Sequence, residues 1–118
     1  MDLKECYEII GDYNDVVSRI PMEKLIMKCV CKFPNDTSYV ELKEAVENKN
    51  YEEIFKAAHK LKGVTLNLGL MKIFHIADNI TEIYRDQQEH NVEELMNELA
   101  EEYDKVINAI NQLIQENA

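Results

Sequence analysis

Apolar residues recur at helical spacing along almost the whole chain. Leu3, Cys6, Tyr7 and Ile10 share one face, which predicts a short amphipathic helix closed by Gly11. Residues 12–15 read as a turn, and residues 16–20 as one further helical turn. Pro21 suits the first position of a new helix, where its missing N–H costs nothing. Met22, Leu25, Ile26, Cys29, Val30 and Phe33 then form an apolar stripe that Pro34 ends. The next predicted helix covers residues 38–47, with Tyr39, Leu42, Ala45 and Val46 inward. Either a Ser38/Glu41 capping box or Asp36 caps it. Asn50 with Glu53 opens a long helix whose core stripe is Ile54, Ala58, Leu61, Thr65 and Leu68. Asn67-Leu68-Gly69 ends it, with Gly69 near the C-cap. Residues 70–85 predict another helix, with Ile73, Phe74, Ala77, Ile80, Ile83 and Tyr84 facing the core. After a polar link at 86–90, Asn91 and Glu94 repeat the capping pattern. The final seam of Val92, Met96, Leu99, Tyr103, Val106, Ile110 and Leu113 is the most regular of all. Earlier helices supply the surface this seam needs, so a bundle within the chain is more economical than a coiled coil.

The predicted architecture is therefore all-α: an antiparallel four-helix bundle over residues 36–116, covered by additional short N-terminal helices over 1–34. A chain of 118 residues suits one such domain over residues 1–118. Only three Gly and two Pro punctuate it, which fits long helices with short links.

A net charge of −10 argues against nucleic acid or an anionic membrane surface as partner, since both require a basic face. No apolar run is long enough to span a bilayer, and no basic-then-apolar leader opens the sequence, so a cytoplasmic protein is expected. Cys6, Cys29 and Cys31 form no framework of spacings and read as reduced thiols. No Glu-x-x-His pair exists to build a metal site in a bundle, and His75 and His90 read as surface residues.

The chemistry gathers in residues 57–69, Ala-Ala-His-Lys-Leu-Lys-Gly-Val-Thr-Leu-Asn-Leu-Gly. Gly63 sits inside a helix, where it costs about 1 kcal/mol relative to Ala. At about 100° per residue, Gly63 lies about 40° from His59, with Lys62, Phe55, Lys56 and Leu66 within about 60°. The core stripe falls on another side, so His59 should face solvent, with clear space made by Gly63. Phe55 and Leu66 are the apolar neighbours a docking face uses, though Phe55 also fits the edge of the core. Thr65 reads as bonding a carbonyl of its own helix. Residues 54–77 hold four lysines, Lys56, Lys60, Lys62 and Lys72, and no acid. In so acidic a chain this is a local positive window.

His59-Lys60-Leu61-Lys62-Gly63 followed by Gly69 resembles the signature of histidine phosphotransfer (HPt) domains of bacterial phosphorelays. The resemblance implies a phosphoryl carrier without an ATP site, hence not an enzyme in its own right. His59 would be the phospho-acceptor, taking the group from a receiver-domain aspartyl phosphate or a histidine kinase and passing it to another receiver. Lys62 would neutralise charge, Gly63 would give clearance to the receiver, and Gly69 would turn the chain. No cofactor is implied for this chain, because the partner receiver supplies the magnesium. The implied partners are response-regulator receivers and a hybrid histidine kinase, met by a monomer. The competing reading is a phosphorylation-independent helical adaptor for receiver or kinase domains. The intact His59, Lys62, Gly63 and Gly69 weigh against it.

Overall fold

The computed structural model describes residues 1–118 and contains seven α-helices and no strand. They are α1 (Leu3–Ile10), α2 (Tyr13–Arg19), α3 (Glu23–Lys32), α4 (Ser38–Glu47), α5 (Tyr51–Asn67), α6 (Met71–Ile83) and α7 (Glu93–Glu116). Short 3-10 turns follow α3 at Phe33–Asn35 and α6 at Tyr84–Asp86. α5 packs on α4 and α6, and α6 packs on α7. Tyr39 of α4 stacks on Tyr103 of α7, with ring centroids 4.0 Å apart, and closes the bundle.

The core stripe of α5 is fully inside: Ile54, Ala58, Leu61, Thr65 and Leu68 are all buried. Leu99, Val106, Ile110 and Leu113 do the same for α7, with Met96 and Tyr103 half-buried. α7 is about 36 Å long against about 26 Å for α5, so its seam outruns the bundle. α1 and α3 lie along α7 and cover it there. At the far end the Met1 amine pairs with Glu116.

Several local features differ from the sequence expectation. Residues 13–15 belong to α2, because Asp12 caps it by accepting from the Asp15 N–H at 3.0 Å. Pro21 lies outside α3, which starts at Glu23. Met22 and Leu25 stand exposed, while Ile26, Val30 and Phe33 reach the core. At α4 the Ser38/Glu41 box does not form. Asp36 accepts from the Ser38 N–H at 2.8 Å instead, and the Ser38 hydroxyl is buried without a partner. Asn50 caps α5 through the Glu53 N–H at 3.2 Å. Asn91 accepts from Glu93 rather than pairing with Glu94, and Val92 is the first flanking residue of α7. α6 stops at Ile83. Its Phe74 is half-buried outside the core cluster, while Ile76 takes a core position.

The α5–α6 turn is fastened twice. Gly69 adopts φ +68°, and the Leu70 and Gly69 N–H groups donate to the Thr65 and Leu66 carbonyls at 2.9 and 3.2 Å, a Schellman closure. From outside, the Tyr7 hydroxyl donates to the Leu68 carbonyl at 2.7 Å and the Asp12 N–H donates to the Gly69 carbonyl at 3.0 Å. Gly11 lies so close that a β-carbon there would sit 2.1 Å from the Gly69 oxygen.

Backbone oxygen cannot yield as a flexible side chain does. Gly11→Ala is expected to cost about 2–3 kcal/mol in urea unfolding. Tyr7→Phe, which removes one buried hydrogen bond, should cost about 1–2 kcal/mol. An unchanged midpoint for Gly11→Ala would show that this junction does not rest on the turn.

Candidate functional site

His59 stands exposed on α5, between the flanks that meet α4 and α6. Lys60 reaches to α4, where its Nζ lies 3.0 Å from Glu41 Oε2. Lys62 reaches to α6, where its Nζ lies 2.9 Å from Asp78 Oδ1. These two contacts bracket the imidazole, which therefore sits on the outward crest of the helix. Phe55, one turn before it, is half-buried, and its ring stacks near the imidazole at 6.2 Å between centroids with 14° between planes. The Phe55 ring thus flanks the imidazole on one side, nearly parallel to it.

Nothing lies within 4 Å of where a β-carbon on Gly63 would be. The lane beside His59 is open within this chain, and no packing contact requires glycine there. The helix bears the conformational cost of Gly63 without any return from its own fold. Gly69 serves elsewhere, holding the left-handed turn to α6.

Leu66 is half-buried and takes no part in the core cluster. Lys56 is exposed and paired with Glu52 at 3.0 Å and Glu53 at 3.7 Å. Thr65 is buried and donates to the Leu61 carbonyl at 2.8 Å, so its hydroxyl is spent on the helix backbone. His75 is exposed on α6, and His90 is exposed in the loop before α7, where its Nε2 lies 2.9 Å from Asp86 Oδ1. No group of three or more His, Cys, Asp or Glu side chains is placed to hold a metal ion.

The positive window expected along residues 54–77 is corrected by the tertiary structure. Lys56, Lys60 and Lys62 are all in ion pairs, with acids drawn from before the window, from α4 and from α6. Only Lys72 stays out of such a pair. Hydrogen bonds from Thr37 and then Lys60 hold the Glu41 carboxyl below its ordinary range, which keeps that acid charged beside the lysine. The site is close to locally neutral at rest rather than basic.

Periodicity did not point to the α6 side of the site. The Arg85 guanidinium lies 5.7 Å from the centre of the Phe55 ring, a cation–π approach. It also forms a two-point pair with Glu82, at 2.6 and 3.2 Å, which pushes the Glu82 carboxyl down. Asp78, Glu82 and Arg85 recur at four- and three-residue steps, and Phe74 precedes Asp78 by four. A sequence signal existed in that spacing, but it competed with the apolar stripe of the same helix.

No helix is long and apolar enough to cross a membrane. No curated protein and no solved structure matches the chain. Residues 36–109 match the family model described as Hpt domain. That span holds all of α4, α5 and α6, most of α7, and every residue around His59 described above. Family members act in histidine phosphotransfer within phosphorelays, with receiver or kinase domains as partners and without a cofactor of their own. The match covers well over half of the sequence, and the protein belongs to the Hpt domain family, as a phosphoryl carrier rather than a catalytic enzyme.

Proposed function

We propose that His59 is the phospho-acceptor, charged by the aspartyl phosphate of a receiver domain or by a histidine kinase, and discharged onto another receiver. One observation carries this reading. An exposed imidazole stands on the crest of α5, beside a glycine above which the chain leaves open space. A histidine side chain in water is mostly neutral at pH 7 and offers a nitrogen lone pair to the incoming phosphorus. Phosphoryl transfer needs in-line approach and charge stabilisation more than covalent help from the acceptor. The Phe55 ring flanks the imidazole on one side, and the bare face at Gly63 admits the partner. Lys62, one turn on, is a cation on the same face of the helix as His59.

Docking would use Leu66 on α5 and Phe74 on α6, half-buried apolar residues that the core leaves outside, together with the half-exposed edge of Phe55, whose inner side packs against the core. Lys56 lies at the rim. The whole chain, residues 1–118, would act as one unit, with residues 1–34 covering the bundle of residues 36–116. The setting is the cytoplasm and the working form a monomer. The three free thiols suit a reducing compartment.

Incubation with phosphorylated receivers is expected to place an acid-labile label on the protein, and His59→Gln should abolish it while leaving helicity intact. Lys62→Ala should slow transfer about five-fold, the effect of losing about 1 kcal/mol of charge assistance. A wild-type protein that binds a receiver yet never takes label would establish the adaptor reading instead. Gly63 separates fold from docking. Gly63→Ala should raise stability in urea unfolding by about 0.5–1 kcal/mol, because the added methyl meets nothing. Gly63→Gln should raise the receiver concentration needed for half-maximal transfer. Equal transfer by both variants at low receiver concentration would move the docking face away from His59.

A further inference from the structure

Two contacts between α5 and α6 flank His59 in one register. Lys62 meets Asp78, and Phe55 meets Arg85. Moving back along α5 thus means moving forward along α6, and His59 lies between the two contacts as Glu82 does on the opposite helix. Each cation on this strip already holds an acid: Lys62 holds Asp78, and Arg85 holds Glu82. The Lys62–Asp78 pair is the more sheltered. Its side chains are 26% and 36% exposed, against 51% and 48% for Lys60–Glu41 on the other flank. Sheltering lessens screening by water and salt, so this pair is the harder of the two to part.

The proposed transfer changes the charge next to that pair. The bond from phosphorus to the receiver's carboxylate oxygen breaks, and its electron pair leaves with the carboxylate. The imidazole lone pair forms the nitrogen–phosphorus bond, and the other ring nitrogen releases its proton to water. His59 then carries roughly two negative charges. Any share of its three N–H donors that Lys62 turns to them is drawn away from Asp78.

We propose that Asp78 is a positioning residue that restrains Lys62 and thereby sets how far the phosphoryl group resides on His59 rather than on the receiver. This inference rests on His59 being the acceptor. Drawing Lys62 away from Asp78 subtracts from the stability of the phosphorylated form, and the less fully paired Asp78 carboxylate adds repulsion. Both effects make the carrier a better donor and a weaker acceptor. Asn at this position keeps the shape and removes the charge.

The test is the equilibrium ratio of phosphorylated protein to phosphorylated receiver after prolonged incubation. Docking contacts alter the speed of exchange between the separated partners, not this ratio. Asp78→Asn is expected to shift it toward phosphohistidine by about two- to five-fold, the range an ion pair of this exposure supports. In a Lys62→Ala background the same substitution should shift it less than half as far. Glu101→Gln, a charge loss on the exposed face of α7, should leave it unchanged. A ratio unmoved or lowered by Asp78→Asn overturns the inference while the acceptor reading stands. An equal shift from Glu101→Gln also overturns it, by reducing the effect to net charge. A second readout needs no receiver. With His59 loaded by phosphoramidate, the phosphorus NMR titration midpoint should fall by about half a pH unit in Asp78→Asn, since a freed Lys62 favours the dianion. An unchanged midpoint overturns the inference. Failure of phosphoramidate and every receiver to label wild-type His59 removes the acceptor reading and this inference with it.

Discussion

A helix packed along both flanks keeps one narrow crest in water, and on α5 that crest carries His59. The constraint is geometric before it is chemical. Ile54, Ala58, Leu61, Thr65 and Leu68 commit one side of the helix to the core. Lys60 and Lys62 then tie the shoulders to α4 and α6. With both shoulders occupied, a side chain midway between them has no partner within the bundle. The helix that carries the ring is held by what is packed beneath it, and the ring itself has only Phe55 as an aromatic neighbour.

That geometry depends on the register of α5 against α6, and the register depends on a turn braced from outside. Gly69 closes α5 in the left-handed conformation, and Tyr7, Gly11 and Asp12 bear on the same few backbone atoms. These three residues lie before the span matched by the family model. The N-terminal helices thus do more than cover the overhang of α7. They clamp the hairpin whose pitch decides which α6 residue Lys62 meets.

Much of this was legible in the sequence, and the failures have a common origin. The α5 and α7 stripes could be read because every member falls at a three- or four-residue step and is buried or half-buried. The exposed crest followed from the same wheel. A wheel gives the direction of a side chain, not the identity of what stands opposite. Counted along the chain, residues 54–77 look positive. Folded, their lysines meet Glu41, Glu52 and Asp78, which lie outside that window. Phe74 failed for a related reason: its spacing joins equally well to Ile73 and Ala77 inside and to Asp78 outside. Caps failed where two polar residues competed. Asp36 wins over Ser38 because its carboxylate reaches the Ser38 N–H, which leaves the serine hydroxyl buried and unpaired.

The near-neutral resting site bears on what a carrier needs, as distinct from what an acceptor needs. A strongly basic pocket would stabilise a phosphorylated histidine and so oppose its discharge. A pocket with no cation would leave the arriving charge without any local counter-charge. Lysine already engaged with aspartate lies between these limits, because its help is drawn away from an existing contact. On the proposed reading, the free energy of the phosphorylated form is then a difference between two similar ion-pair energies. Each is small at partial exposure, so the difference stays within the range where both loading and unloading run. Such a balance needs the acid and the histidine on different helices. An acid at a neighbouring step of α5 would move with the ring, whereas one on α6 keeps its place through the packing of the bundle.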